Sequence, residues 1–155
     1  MLKKLSFFLF FLYTNLTLAQ DATIFKPDSI KRKIEATRIN SFLKIDGLLK
    51  DSAWTLAKPY DSFVEVDPHQ GAIPKQYTVA QVLYNKQFLY IGAFSRDSLG
   101  KKSTRVIDFK RDFNTRTSDY FGMGFDGFND QRNCMVFTTN PHGVQRDFLA
   151  FDATY

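Results

Sequence analysis

The chain has 155 residues, 44% of them hydrophobic and 24% charged, with a net charge of +5. Its densest basic run is Lys31-Arg32-Lys33, too short a stripe to argue for nucleic acid as a partner. Cys134 is the only cysteine, so no internal disulfide framework is available and the fold must stand on an apolar core.

Residues 1–19 have the three parts of a cleavable secretory signal peptide. Lys3 and Lys4 form the basic start, and Leu5 to Tyr13 is an apolar run broken only by Ser6. Thr17-Leu18-Ala19 supplies small residues ahead of a cut before Gln20. The run is shorter than the roughly 20 residues a membrane-spanning helix needs. The chain is therefore expected to be exported. Removing residues 1–19 takes away Lys3 and Lys4 and no acid, which lowers the net charge from +5 to +3 and leaves about 136 residues. That length suits a single domain.

Residues 20–33 are polar and irregular and read as a leader. Ile34–Ile39 alternates and predicts a first strand. Ile45-Asp46-Gly47 turns the chain. Leu48 to Ala57 then has the apolar spacing of a helix of two to three turns, stopped by Pro59. From Tyr60 the period is two. Phe63–Val66 is predicted as a short strand ended by Asp67-Pro68, and 69–74 as a loop. Tyr77–Tyr84 and Phe88–Phe94 are strand runs joined by Asn85-Lys86-Gln87, the pattern of a hairpin. Residues 97–118 are too polar and too long for a turn and predict a surface excursion. Tyr120–Phe125 and Cys134–Thr139 form a second hairpin around residues 126–130. Residues 140–143 make another turn, and a further strand starts at Val144.

Several short strands with one short helix predict an all-β fold, an antiparallel β-sandwich spanning residues 34–155. The last strand pattern reaches Tyr155 with no closing turn, so the sandwich is expected to be incomplete at its C-terminal side, with an unpaired edge.

The residues that could carry chemistry are few. His69 and His142 both sit in turn-like sequence. No zinc-type pair, phosphate-binding glycine loop or serine elbow is present. Asp97, Asp108, Asp112, Asp119, Asp126, Asp130 and Asp147 cluster near the later loops. A glycosidase needs two facing carboxylates, but this pattern reads more simply as aspartates that cap turns and pair with Arg96, Arg111 and Arg132. Asp126, Asn129 and Asp130 gather oxygen ligands around Gly127, which suits a hard cation such as a structural calcium, although the spacing is not that of an EF-hand. Cys134 lies in an apolar run and reads as a small buried hydrophobe. Trp54 and the strand tyrosines read as core before sugar platforms.

An ordered set of motifs resembles family 9 carbohydrate-binding modules. Lys44-Ile45-Asp46-Gly47-Leu48-Leu49-Lys50-Asp51-Ser52-Ala53-Trp54 is similar to the family's opening. Val82-Leu83-Tyr84-Asn85-Lys86-Gln87-Phe88-Leu89-Tyr90-Ile91 is similar to its hairpin, with Arg96-Asp97 at the hairpin's end. Ser118-Asp119 with Phe125-Asp126 resembles a later strand. The segments 129–133 and 137–147 look closer to one branch, the periplasmic N-terminal domain of large bacterial outer-membrane proteins of unassigned function whose C-terminal part is a barrel.

The resemblance covers residues 34–155. It implies a noncatalytic β-sandwich that binds polysaccharide or oligosaccharide, is associated with glycoside hydrolases, and often holds calcium. It also implies a periplasmic or outer-membrane location. The family's sugar site uses two tryptophans, a glutamate and an arginine, and here the chain departs. The first tryptophan falls near Arg116, the glutamate near Gly122 and the arginine near Thr138, while the second tryptophan falls beyond Tyr155. The candidates for sugar contact are Arg116, Tyr120 and Asn140. Two other functions compete: a periplasmic domain that docks on its own barrel and binds no sugar, and part of a hydrolase using the late aspartates.

Overall fold

The computed structural model describes residues 29–151. The expected export segment 1–19, most of the expected 20–33 leader and residues 152–155 lie outside the described residues.

The described chain is all-β, as its sequence predicts. Strands β1 (Ala36–Arg38), β2 (Thr78–Tyr84) and β3 (Leu89–Ser95) form one sheet in that order. Strands β4 (Phe121–Phe125), β5 (Cys134–Thr139) and β6 (Gln145–Ala150) form a second. Main packing runs within each sheet, and the two do not close into the expected sandwich. Nor is the first sheet purely antiparallel, because β1 runs parallel to β2, with Ala36 opposite Val82.

The β2–β3 hairpin is held by its turn residue. Asn85 Oδ1 accepts from the backbone N–H groups of Gln87 (2.9 Å) and Phe88 (2.8 Å). Its Nδ2 donates to the Ser41 carbonyl and the Tyr90 hydroxyl, tying the turn to the chain that follows β1. An asparagine that closes its own turn in this way suits the position after a strand.

One face of this sheet carries the best-formed core: Leu83 and Tyr90, paired across the hairpin, with Ile39, Trp54 and Ala57. Trp54 comes from a single 3-10 turn, Ser52–Leu56, in place of the expected two to three helical turns. The Asp51 side chain makes no N-terminal cap and instead accepts from Lys44 N–H, so nothing extends the turn into an α-helix. Gln81 Nε2 clamps the turn onto the sheet by donating to the carbonyls of Trp54 (2.9 Å) and Ala57 (3.0 Å). The indole lies directly on Gly92. A Cβ there would stand 2.9 Å from two ring carbons of Trp54 and 2.8 Å from Leu49 Cδ2. A glycine is therefore what allows the ring to sit so close.

The predicted strand at Phe63–Val66 does not form. Only Tyr60 pairs with β2, as a bridge to Ala80. Beyond it the chain folds on itself: Glu65 N–H donates to the Ala72 carbonyl and Gly71 N–H to that of Glu65. An apolar run without a neighbouring edge makes no ladder.

In the second sheet Phe121, Met123 and Phe125 share one face with Met135, Phe137 and Leu149, while Gly122, Gly124, Val136, Thr138, Arg146 and Phe148 share the other. The excursion between the sheets returns beside β6, where Asp112 N–H donates to the Gln145 carbonyl, and it buries Phe113 completely. Cys134 is half-buried, and its sulfur would lie 2.6 Å from a Cβ placed on Gly124. Among the described residues no helix is long and apolar enough to cross a membrane.

Candidate functional site

The face of the second sheet that carries Gly122 and Gly124 is the floor of an open groove of about 690 Å³. The two glycines contribute no side chains, which lets Thr138 and Tyr120 close in over Gly122 and Cys134 over Gly124. Val136, Thr138, Arg146 and Phe148 continue it across β5 and β6. Thr138 is buried and its hydroxyl donates to the Arg146 carbonyl.

Arg116 and Tyr120 form the rim on the excursion side. Asn114 sets the position of Arg116 through a local turn: its Oδ1 accepts from Arg116 N–H at 2.9 Å, and its carbonyl accepts from Thr117. Such Asx turns are a common way to fix a loop without a strand. Tyr120 is half exposed and is backed by the buried Phe113, with ring centroids 6.5 Å apart. A Cβ on Gly122 would stand 3.4 Å from the Tyr120 ring and 3.0 Å from Thr138 Cγ2, so the absent side chain makes room for both.

Arg146 is held on two sides. Its Nη1 donates to the Phe113 carbonyl at 3.0 Å, and its guanidinium carbon lies 5.5 Å from the centroid of the Phe148 ring. That distance allows a cation–π attraction. The same excursion therefore supplies the rim residue Arg116, the support for Tyr120 and the anchor for Arg146.

Two of the three candidate sugar contacts, Arg116 and Tyr120, are thus brought together. Asn140 is not among the residues lining the groove. It is buried, and its side chain closes the β5–β6 turn. Oδ1 accepts from the N–H groups of His142 and Val144, and Nδ2 donates to the Asp108 carbonyl. The three positions at which the family resemblance would place site residues, Arg116, Gly122 and Thr138, all line this groove. Sequence reasoning missed Arg146 and Phe148. The available signal was their spacing of two within a strand, which puts a cation and a ring on one face.

The late aspartates hold loops together. Asp126 accepts from the N–H groups of Phe128, Asp130 and Gln131. Asp130 accepts from the N–H groups of Arg132 and Asn133 and from the Asn133 amide, and these bonds, those of Asn133 first, lower its carboxyl below the ordinary value. Asp97 is lowered by the Ser103 hydroxyl and then by Leu99 N–H. Asp119 accepts from Arg105 N–H, and Asp147 pairs with Arg111. Asn129 and Gln131 adopt positive φ, as a loop wound around its own carboxylates requires.

This bears directly on calcium. Asp126 and Asp130 face backbone amides, and among the described residues no group of three or more acidic, histidine or cysteine side chains is placed to hold a metal ion. With Asn129 in the same loop, these two carboxylates are engaged in closing it. His69 is exposed near Glu65, 3.6 Å away, and His142 stands edge-on to Phe109.

No family model, curated protein or solved structure matches the chain.

Proposed function

We propose that this chain is a noncatalytic glycan-binding module of an exported envelope protein, acting in the periplasm or at the outer membrane in polysaccharide breakdown or uptake. The observation that carries the reading is the groove on the second sheet. There a half-exposed, internally supported Tyr120 stands beside guanidinium and hydroxyl groups. An aromatic face can stack on the C–H face of a sugar ring, while polar groups around it orient the hydroxyls.

Retention of the full chain on a panel of insoluble polysaccharides tests this. Tyr120→Ala should weaken retention about tenfold, the effect of losing one aromatic contact of ~1.4 kcal/mol. Because the ring is half exposed, the melting temperature should move little. Equal retention of the two proteins, or none of either, would remove the reading.

One observation favours a second reading, a domain that docks on an outer-membrane barrel and binds no sugar. On the opposite face of the same sheet Met135, Phe137 and Leu149 are exposed, an arrangement suited to contact with protein. A chain that ignores every glycan yet co-fractionates with outer-membrane protein, and loses that association as Phe137→Ser, would establish it.

A further inference from the structure

Charge in the groove is one-sided. Arg116 and Arg146 both line it, and among the described residues no carboxylate does. The acids that neighbour this region are occupied elsewhere. Asp147 follows Arg146 along β6 but belongs to the opposite face, where Arg111 pairs with it. Asp119 precedes Tyr120 and is engaged by Arg105 N–H at 2.8 Å.

The two arginines differ in how they are held. Arg146 is fixed between the Phe113 carbonyl and the Phe148 ring. One of its five N–H donors goes to that carbonyl, which leaves others for a ligand. Arg116 is exposed at the rim, and the bond from its backbone N–H to Asn114 fixes the chain beneath the side chain. A guanidinium presents a planar fork of donors that matches a carboxylate. Two of them lining one groove favour an anionic ligand, whereas a neutral hydroxyl offers no compensating charge.

We infer that the ligand of this groove is an anionic glycan, a chain bearing uronate carboxylates. This rests on the reading of the groove as a glycan site. In that complex a sugar ring stacks on Tyr120, while its carboxylate, or that of the adjoining residue, lies between the guanidinium groups. Phe113 serves both functions: its ring backs Tyr120 and its carbonyl anchors Arg146. The stacking platform and the cation are consequently set by one buried residue, which limits the entropy lost on binding.

Affinity electrophoresis of the full chain tests the inference, with gels containing polygalacturonate, alginate, fully methyl-esterified polygalacturonate, xylan or polyglutamate. The chain should be retarded by at least one of the two uronate polymers. Esterification or xylan should weaken the effect about tenfold or more, the usual consequence of losing a charge-assisted hydrogen bond. Arg116→Gln should weaken it by a similar factor and Arg116→Lys should recover part of it. Lys86→Gln, which removes one charge from the distant β2–β3 turn, should leave it unchanged. Equal or stronger retardation by the ester or by xylan overturns the anionic assignment and leaves glycan binding standing. Polyglutamate acting as strongly as the uronates overturns the inference together with the glycan reading beneath it, because charge alone would then suffice. Uronate binding that is indifferent to Arg116→Gln overturns the placement in this groove. Retardation by none of the glycans overturns both the inference and the glycan reading beneath it.

Discussion

The two sheets have the same strand count and similar hairpins, yet they treat their faces differently. In the β1–β3 sheet a covering segment lays Trp54 and Ala57 over Leu83 and Tyr90, and the face becomes core. In the β4–β6 sheet the segment that comes across arrives polar. It buries Phe113 and brings Arg116 and Tyr120 to the edge, and the space between stays open. A sheet face becomes a core or a site according to what is laid over it. The strands alone decide only which residues are available.

The largest expected effect comes from removing the cover of the first sheet. Trp54→Ala should cost about 3–5 kcal/mol, as for other large buried aromatics, out of a usual total of 5–15 kcal/mol. Thermal unfolding measures the loss, and hydrogen exchange asks where it falls. If the contrast between the sheets extends to their stability, β2 and β3 amides should lose protection more than those of β5. Equal loss in both would make them one cooperative unit and remove that part of the comparison. An unchanged melting temperature would overturn the core assignment of Trp54 itself.

A smaller effect tests the seat beneath the indole. Gly92→Ala places a methyl where the ring and Leu49 Cδ2 already lie within 3 Å. Overpacking of this kind costs about 1–3 kcal/mol, with a shift in the fluorescence of the chain's single tryptophan. A stable variant with unchanged emission would mean that the turn lifts from the sheet at little cost.

These positions also show what was legible in the sequence. The β2–β3 and β4–β5 hairpins could be read because period two coincides with turn residues such as Asn85 and Asp126. The location of β1 could be read, but its parallel pairing could not, since alternation says nothing about which neighbour a strand takes. Leu48 to Ala57 has helical spacing over too few residues, and the missing cap at Asp51 together with the Gln81 clamp reduces it to one 3-10 turn. Phe63–Val66 failed as a strand because no second edge comes to meet it. At the site, Arg116 and Tyr120 could be proposed as candidates from the resemblance and the side-chain types. Their meeting with Arg146 and Phe148 depends on strand register and on the path of the excursion, which no local pattern encodes.

The smallest expected effect concerns the loop carboxylates, which close local turns without lying in the groove. Asp130, Asp97 and Asp46 all have lowered values, Asp46 chiefly through Leu48 N–H. A lowered folded value stabilises the protein above the unfolded value, about 4, and that contribution is lost as pH falls through the folded value. Melting temperatures should therefore drop as the pH goes below about 4. Asp130→Asn should flatten that drop slightly, because it removes one of the three titrations. A variant whose pH profile superimposes on that of the parent would show that the loop bonds contribute nothing to folding.

The contact between Gly124 and Cys134 has a consequence for how such a chain can change over generations. The sulfur occupies the space that a side chain at 124 would need, so a change at 124 calls for an adjustment at 134. A methyl at 124 requires the thiol to turn aside or to be traded for something shorter. The two positions would tend to drift as a pair, linked by volume across a hairpin, and their joint history would be a record of this strand pairing.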